Sequence, residues 1–231
     1  MGEKLARWLI QAFVHLTARV EIYGIEHIQT SGGFVAVSNH IGRLDAVLAY
    51  SYTDRHDIIM LVAEKYSQIP LVRWFVRQLD AIFIDRFNAD FTVLRETLRR
   101  LKNGGMLVLA PEGTRSPTGA LQEAWRGAGY IALKAGVPVV PVGLAGSEDR
   151  LFFANLKRLR RTRVTARIGE PFCLDALAGK DRDAALQAAT DEIMCRIAAL
   201  LPEEYRGVYA DHPRLAELLA AGGDQPGAAG K

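Results

Sequence analysis

Short apolar runs rich in β-branched residues alternate with segments of helical period along most of this chain, and this alternation limits the possible folds more than any other feature. The β-rich runs occupy residues 20–23, 34–37, 58–62, 81–84, 106–109 and 137–142. Helical patterns lie between most of them, at residues 44–52, 71–79, 91–101 and 126–134. Buried strands that alternate with helices of about ten residues are typical of parallel sheets. We therefore predict a single α/β domain with a largely parallel mixed sheet flanked by helices.

The two ends of the chain carry further patterns. Apolar residues at helical spacing predict an amphipathic helix over residues 3–17, which either packs on the core or lies in a membrane interface; we favour packing. A late strand is predicted at residues 164–168 and a long helix at 183–201, and the last ten residues have the composition of a disordered tail. The expected divisions are an N-terminal helix with its lead-in strand, a core, and a C-terminal extension that ends in the tail, at residues 1–30, 31–202 and 203–231.

Composition excludes several classes of protein. A chain of 231 residues that is 49% hydrophobic and 24% charged is long and apolar enough to bury a core, so it is neither disordered nor a disulfide scaffold. Cys173 and Cys195 form no short-spaced pair, which argues against a zinc site or redox motif and favours a reducing compartment. No uncharged stretch approaches the ~20 apolar residues that cross a bilayer, so no transmembrane span is expected.

Charge is unevenly distributed, although the formal net charge is only +3. Residues 150–167 contain seven basic side chains and no acidic one. We call this segment the basic stripe. It could attract nucleic acid, anionic lipid or a nucleotide-like cofactor, or it could be an ordinary solvated surface. No aromatic residue is interleaved with the clustered bases at 157–167, which argues against single-stranded nucleic acid.

A histidine and an aspartate follow the strand predicted at residues 34–37. Functional residues of α/β sheets gather in loops beyond the carboxyl ends of strands, where His40 lies. A carboxylate such as that of Asp45 could orient this imidazole as a general base. The two side chains meet only if His40 precedes the helix and bends back over its first turn, and Gly42 supplies the backbone freedom for that entry. The alternative is a helix cap beside a core histidine.

Two further strand ends carry groups suited to phosphate. The segment 112–116, Glu-Gly-Thr-Arg-Ser, could cradle a phosphate with backbone N–H groups, Thr114 and Arg115, or could be a plain turn with a surface arginine. Arg86 follows the strand at residues 81–84, and its alternative role is a salt bridge with Asp85 or Asp90. The sequence contains neither a GxSxG nucleophile elbow nor an HExxH metal motif, and neither cysteine has a recognisable base partner. Any acyl transfer would then be direct, with the acceptor hydroxyl as nucleophile.

Four sequence motifs (blocks) that occur in a fixed order are a more specific signal than any one of them alone. They are Asn39-His40-x4-Asp45, Phe83-Ile84-Asp85-Arg86, Pro111-Glu112-Gly113-Thr114-Arg115-Ser116, and Val-Pro-Val-Val-Pro-Val at residues 137–142. This arrangement closely resembles the glycerolipid acyltransferase family, particularly the 1-acylglycerol-3-phosphate acyltransferases of phospholipid biosynthesis. The resemblance makes residues 31–202 the expected catalytic core. Asp80 and Arg43 depart from the family pattern, which leaves the acceptor open.

The resemblance also implies roles for single residues. His40 would be the general base on the acceptor hydroxyl, with Asp45 orienting it. The acceptor would be held by residues of the second and third blocks and by a basic residue after the strand at 58–62, namely Phe83, Arg86, Glu112, Gly113, Thr114, Arg115 and Lys65. The block at residues 137–142 would shape the floor of the site or an acyl channel.

The function that the resemblance implies is acyl transfer from an acyl thioester, on coenzyme A or acyl carrier protein, to lysophosphatidic acid. No cofactor or metal is expected, and no nucleic acid. The expected partners are the lysophospholipid, the thioester and an anionic membrane surface, and the expected location is the inner face of the cytoplasmic membrane, as a peripheral protein. Another acceptor, such as glycerol 3-phosphate, another lysolipid or a lipid-like alcohol, and a non-catalytic lipid- or phosphate-binding role remain alternatives.

Overall fold

The alternation of strands and helices builds a seven-stranded sheet in the computed structural model, which describes residues 2–85, 90–174 and 181–221. The strands are β1 (Ala18–Tyr23), β2 (Phe34–Ser38), β3 (Ile58–Ala63), β4 (Ile82–Ile84), β5 (Met106–Leu109), β6 (Val139–Ala145) and β7 (Thr162–Ile168). The α-helices among the described residues are α1 (Gly2–Thr17), α2 (Asp45–Tyr52), α3 (Pro70–Gln78), α4 (Phe91–Lys102), α5 (Gly127–Ala135), α6 (Asp149–Lys157), α7 (Arg182–Ala199) and α8 (Pro213–Ala221). The predicted α/β fold class is confirmed.

The order of the strands brings the loops of interest together. The order is β1-β7-β6-β2-β5-β3-β4, and neighbours are parallel except for β6 and β7. The central strand β2 pairs in parallel with both β5 and β6. The carboxyl ends of β2 to β6 therefore meet along one edge of the sheet, which we call the carboxyl edge; the opposite end is the amino edge.

Both faces of the sheet are covered, so the central strands read as continuous apolar runs. Because successive side chains of a strand point to opposite faces, Val35 and Val37 pack toward α5, α7 and α8, whereas Phe34 and Ala36 pack toward α1 and α2. The two faces thus carry two clusters of buried side chains, one on each side of the same strands.

Several elements differ from the sequence-based prediction. Strand β6 begins at Val139 rather than 137 and continues to Ala145, and it runs antiparallel to β7. Helix α6, which occupies the first half of the basic stripe and buries Phe152, was not predicted. Helix α8, which packs on α7, was not predicted either.

Only part of the apolar surface of α1 is covered. Ala6, Ile10 and Val14 are buried against the domain, as the packing prediction requires. A second apolar row on the same helix stays exposed and consists of Leu5, Trp8, Leu9, Phe13 and Leu16. Within residues 2–85, 90–174 and 181–221, no helix has the length and hydropathy needed to cross a membrane.

Candidate active site

His40 and Asp45 meet at the carboxyl edge. His40 lies in the segment after β2, and Asp45 is the first residue of α2. His40 Nδ1 lies 2.9 Å from Asp45 Oδ2. The same oxygen accepts the backbone N–H groups of Ile41 and Gly42, each at 2.8 Å. The carboxylate therefore folds the segment back over the first turn of its own helix, which is the arrangement that pairing at this spacing requires.

Ser147 holds the other oxygen of this carboxylate, and sequence reasoning missed it. Ser147 follows β6, is fully buried, and donates its hydroxyl to Asp45 Oδ1. Its position directly after a strand at the carboxyl edge is the one signal that could have identified it. Gly42 is explained by the same contact, because a Cβ there would lie 1.7 Å from the Ser147 carbonyl oxygen. Gly42 does not have a positive φ. Close approach, rather than the backbone freedom predicted above, is therefore the reason for glycine.

Two buried polar side chains brace the backbone around His40. The Asn39 amide bridges to Leu144 of β6, donating to its carbonyl at 2.8 Å and accepting its N–H at 2.7 Å. Glu112 Oε1 accepts the backbone N–H of His40 at 2.9 Å. Glu112 Oε2 accepts the backbone N–H of Gln122 at 3.0 Å. The histidine is thus held between β6 and the loop after β5.

Glu112 consequently stands apart from the other residues of its segment. It is 1% exposed, and both of its oxygens are used by backbone donors. Burial raises the pKa of its carboxyl group above the usual value, since hydrogen bonds offset only part of the desolvation. A buried carboxylate of this kind positions the loop that carries the histidine, and it is not available to contact an anionic acceptor.

Residues 113–115 are less buried than Glu112, whereas Ser116 is again buried. Gly113 has φ +67°, and a Cβ there would lie 3.0 Å from the Trp125 ring, so the turn requires glycine on both counts. Thr114 is exposed. Arg115 donates from Nη1 to Asp149 Oδ2 and from Nη2 to the Tyr66 hydroxyl at 3.4 Å.

Asp149, the first residue of α6, gathers two arginines around one carboxylate. Its Oδ1 accepts the backbone N–H of Arg43 at 2.8 Å, and its Oδ2 accepts Arg43 Nη1 at 3.0 Å as well as Arg115 Nη1. Arg43, one of the two departures from the family pattern, therefore stands beside the arginine of the third block. No motif pointed to Asp149; its place after β6 was again the available signal.

The remaining predicted residues are less centrally placed. Lys65 lies in a short 3₁₀ helix after β3, with Nζ 5.2 Å from the ring of Tyr66, the residue that contacts Arg115. Phe83 lies in β4 and is partly buried. Arg86 lies outside the described residues. Its proposed partner Asp90 caps α4 by accepting the N–H groups of Thr92 and Val93.

The other departure, Asp80, does not reach the site. It precedes β4 at the amino edge and pairs with Arg100 at 2.8 Å. Its φ of +51° places it in the turn between α3 and β4. An acid at this position adds no negative charge to the carboxyl edge.

An apolar cleft opens beside the histidine–aspartate pair. It has a volume of about 90 Å³ and lies between α2 and the sheet face formed by β1, β2, β5, β6 and β7. Asp45 and Ser38 are among its lining residues, and most of the others are aliphatic. Val142 and Leu144 of β6 contribute to this wall, so the end of the 137–142 block does border a cavity.

The cysteines supply no second reactive centre. Contrary to the sequence-based expectation, Cys195 has a histidine beside it, with Sγ 3.3 Å from His212 Nδ1. Burial raises the pKa of Cys195 to about 12, so its thiol is protonated at neutral pH. The contact joins the turn before α8 to α7 and gives no nucleophile.

Comparison with known proteins identifies the family. The family model described as acyltransferase matches residues 19–145, which is more than half of the chain and includes His40, Asp45 and Arg115. The crystal structure of the 1-acyl-sn-glycerophosphate acyltransferase PlsC from Thermotoga maritima is similar in fold, with a TM-score of 0.62 and 28% sequence identity. That likeness covers 83% of this chain and 77% of the other.

Curated relatives carry related names. The chain is 32% identical over 132 residues to the chloroplastic 1-acyl-sn-glycerol-3-phosphate acyltransferase BAT2 of Brassica napus, covering 56% of this chain and 38% of the relative. It is 29% identical over 168 residues to 1-acyl-sn-glycerol-3-phosphate acyltransferase alpha of Ovis aries, covering 71% of this chain and 57% of the relative. The chain thus spans about half the length of these relatives. Because the family model matches more than half of the chain, the chain belongs to the acyltransferase family.

Proposed function

We propose that the protein transfers a fatty acyl group from an acyl thioester to the free hydroxyl of lysophosphatidic acid, which yields phosphatidic acid. Membership of the acyltransferase family supports the reaction class. The names of the Brassica, Ovis and Thermotoga relatives support this acceptor, since each is described as acting on 1-acylglycerol 3-phosphate. The donor thioester is carried by coenzyme A or by acyl carrier protein.

The observation that carries the proposal is the 2.9 Å contact between His40 Nδ1 and Asp45 Oδ2. Asp45 fixes the proton on Nδ1, which leaves Nε2 to accept the proton of the acceptor hydroxyl. The hydroxyl oxygen then attacks the thioester carbonyl carbon, and the tetrahedral intermediate collapses with cleavage of the carbon–sulfur bond. The proton on Nε2 passes to the departing thiolate, which restores the neutral imidazole and leaves an ester and a free thiol.

The acceptor phosphate binds beside this pair, at Arg115 and Arg43. Both guanidinium groups already surround a carboxylate oxygen, that of Asp149, so they have the spacing that an anionic oxygen requires. Thr114 is exposed next to Arg115 and adds a hydroxyl donor, while Lys65 lies behind Tyr66 as a further positive charge. We assign Glu112 to the support of His40 and not to the acceptor.

The apolar cleft beside Asp45 takes an acyl chain. Burial of apolar surface contributes about 0.8 kcal/mol per methylene group, so an aliphatic wall provides much of the affinity for a lipid substrate. The cleft borders the residue that orients His40, which brings the end of a bound chain close to the reacting atoms. Val142 and Leu144 would contact that chain.

One assay tests this assignment. Purified protein is incubated with labelled acyl-CoA or acyl–acyl carrier protein and with a panel of acceptors: lysophosphatidic acid, glycerol 3-phosphate, lysophosphatidylcholine and monoacylglycerol. The expected result is transfer to lysophosphatidic acid in preference to the others, with monoacylglycerol the poorest acceptor because it lacks the phosphate. Preference for another acceptor would change the substrate, and binding of the lipids without transfer to any acceptor would contradict the proposed reaction.

A further inference from the structure

Leu159, just after helix α6, combines two unfavourable features. Its side chain is 94% exposed, the highest value among the exposed large hydrophobic residues of the described chain. Its backbone has φ +52°, the left-handed region that leucine rarely adopts. Helices often end on such a residue, and glycine is the usual choice there because it has no side chain to clash. The chain instead holds a leucine in that conformation and points it into solvent.

The turn that presents this leucine is well defined. The N–H of Leu159 donates to the Leu156 carbonyl at 3.0 Å, and the N–H of Arg160 donates to the Asn155 carbonyl at 2.9 Å. The Arg161 guanidinium donates to the Ala18 carbonyl through two nitrogens, which ties the turn to the start of β1. The exposed leucine is therefore held at a fixed place on the surface.

Positive charge surrounds it. Lys157, Arg158 and Arg160 are exposed on either side of Leu159, and the whole segment from residue 150 to 167 has no acidic side chain. This turn, which we call the tip of α6, thus presents one apolar side chain among exposed cations. Anionic phospholipid heads over an apolar interior have the complementary arrangement.

The apolar surface continues from the tip along two helices. On α6, Phe153 and Leu156 are each 40% exposed. Phe152 connects α6 to α1, since its ring centroid lies 5.3 Å from that of Phe153 and 6.2 Å from that of Phe13. Phe13 belongs to the exposed row of α1 described above. The exposed residues of both helices therefore form one neighbouring surface rather than scattered side chains.

We propose that this α6 surface, made of Phe153, Leu156 and Leu159 with the cations Lys157, Arg158 and Arg160, docks on an anionic lipid bilayer. Leu159 enters the interface between head groups and acyl chains, and the three cations contact lipid phosphates. This proposal rests on the proposed function, because an enzyme that acylates lysophosphatidic acid needs access to a lipid surface. Helix α6 begins at Asp149, the partner of Arg43 and Arg115, and the Arg43 guanidinium lies 5.4 Å from the centroid of the Phe153 ring. Docking would thus bring the phosphate-binding arginines next to the bilayer.

Replacing Leu159 by glycine gives a test in which a folding defect cannot imitate the result. Binding of the full chain to vesicles of equal parts phosphatidylcholine and phosphatidylglycerol is measured by co-sedimentation. Leu159→Gly should lower the partition coefficient about tenfold, because one large apolar side chain no longer enters the interface. The same change should raise Tm by about 2–4 °C, since glycine accepts the left-handed backbone without strain. Unchanged vesicle binding by Leu159→Gly would overturn the proposal.

Charge reversal tests the cations against a matched control. The triple variant Lys157→Glu, Arg158→Glu, Arg160→Glu should bind the anionic vesicles at least ~30-fold more weakly than the unchanged chain. The control reverses the exposed bases Arg95, Lys102 and Lys134, which lie on α4 and α5 across the sheet, and should bind like the unchanged chain. Equal losses in both triples would show a mere effect of net charge and overturn the proposal. Loss of acyl carrier protein binding with vesicle binding intact would also overturn it, in favour of a protein partner.

Failure of this proposal and failure of the proposed function are distinguishable. Vesicle binding is read without turnover, and turnover is read separately on a short-chain lysophosphatidic acid below its micelle concentration. The Leu159→Gly variant should keep its rate on that dispersed acceptor and lose rate on acceptor embedded in vesicles. Vesicle binding without any turnover in the unchanged chain would reject the proposed reaction and leave the docking surface standing.

Discussion

Arginines at the two edges of the sheet do different work. At the amino edge, Arg55 is 6% exposed and binds both oxygens of Asp57, at 2.6 and 2.7 Å. It also donates to the carbonyls of Gln29, Gly32 and Gly104, which precede β2 and β5. At the carboxyl edge, the Arg115 guanidinium contacts Asp149 and Tyr66, and its side chain is 25% exposed.

The difference teaches what separates a structural arginine from a binding one. The donors of Arg55 are used by a carboxylate and by three backbone carbonyls, so this arginine closes the amino edge. Arg115 and Arg43 share a partly exposed carboxylate that a ligand oxygen can join or replace. Residue type is the same at both edges, and the number of fixed backbone partners decides the role.

Removal of Arg55 should have the largest effect on stability. Arg55→Ala leaves three backbone carbonyls without their charged donor and also removes the partner of Asp57, whose side chain is 51% exposed. An acceptor left without its donor lowers stability by about 1–3 kcal/mol when it is buried, so the three carbonyls together should lower it by at least ~2 kcal/mol. The expected result is that loss of unfolding free energy in urea, with kcat per folded molecule unchanged. Arg95→Ala, an exposed arginine on α4, is the control and should change stability by less than ~0.5 kcal/mol. Similar stability of the two variants would remove the distinction between the edges.

Removal of Arg115 should instead change substrate binding. Arg115→Ala should raise KM for lysophosphatidic acid by roughly 10–150-fold, which corresponds to ~1.5–3 kcal/mol for hydrogen bonds to a charged group. Its unfolding free energy should stay within ~0.5 kcal/mol of the parent, because the pair with Asp149 is partly exposed. The KM for monoacylglycerol, which lacks the phosphate, should not change. An unchanged KM for the phosphorylated acceptor would take Arg115 out of the phosphate site.

Ser147 offers a subtler change at the carboxyl edge. Ser147→Ala removes the donor to Asp45 Oδ1 but leaves the contact with His40. We expect kcat to fall roughly tenfold with KM unchanged, since a positioned base retains most but not all of its ~10²–10⁴-fold contribution. Ser147→Thr, which keeps the hydroxyl, should recover part of the rate if the added methyl group is accommodated. A rise in KM with kcat unchanged would mean that Ser147 acts on binding and not on the histidine.

Asp149→Asn should give the smallest change, and in the opposite direction. The amide keeps an acceptor for Arg43 but removes a negative charge beside the acceptor phosphate. Two unit charges 4 Å apart interact by about 1 kcal/mol in water, so KM for lysophosphatidic acid should fall about fivefold. An increase in KM would show that Asp149 favours acceptor binding, by holding the arginines in place, more than it opposes binding by repelling the phosphate.

The parts of this site that lie close together in the chain were the predictable ones. His40 and Asp45 are five residues apart, so helix geometry alone predicts that they meet only if His40 bends back over the first turn of the helix. The strand runs were also visible, because strands buried on both faces leave uninterrupted apolar segments. The start of β6 was placed two residues too early, at 137 instead of Val139, although Pro138 still accepts the N–H of Val35 at 2.9 Å.

The parts that depend on distant contacts were not predictable. Ser147 meets Asp45 across 102 residues, and Asp149 meets Arg43 across 106. In the sequence each is an ordinary polar residue after a strand. Only the order of the strands in the sheet brings it next to its partner. Glu112 looked like part of a phosphate loop because its neighbours are, and only the folded chain reveals that backbone donors surround it.

The central claim is that His40 is the general base, and its removal tests that claim most directly. His40→Ala is compared with His56→Ala, which removes an exposed histidine near the amino edge, in steady-state transfer from labelled acyl-CoA or acyl–acyl carrier protein to lysophosphatidic acid. The account predicts a kcat at least ~100-fold lower for His40→Ala, with a cooperative unfolding transition retained, and near-normal kcat for His56→Ala. A kcat for folded His40→Ala within a few-fold of the unchanged enzyme would contradict the account.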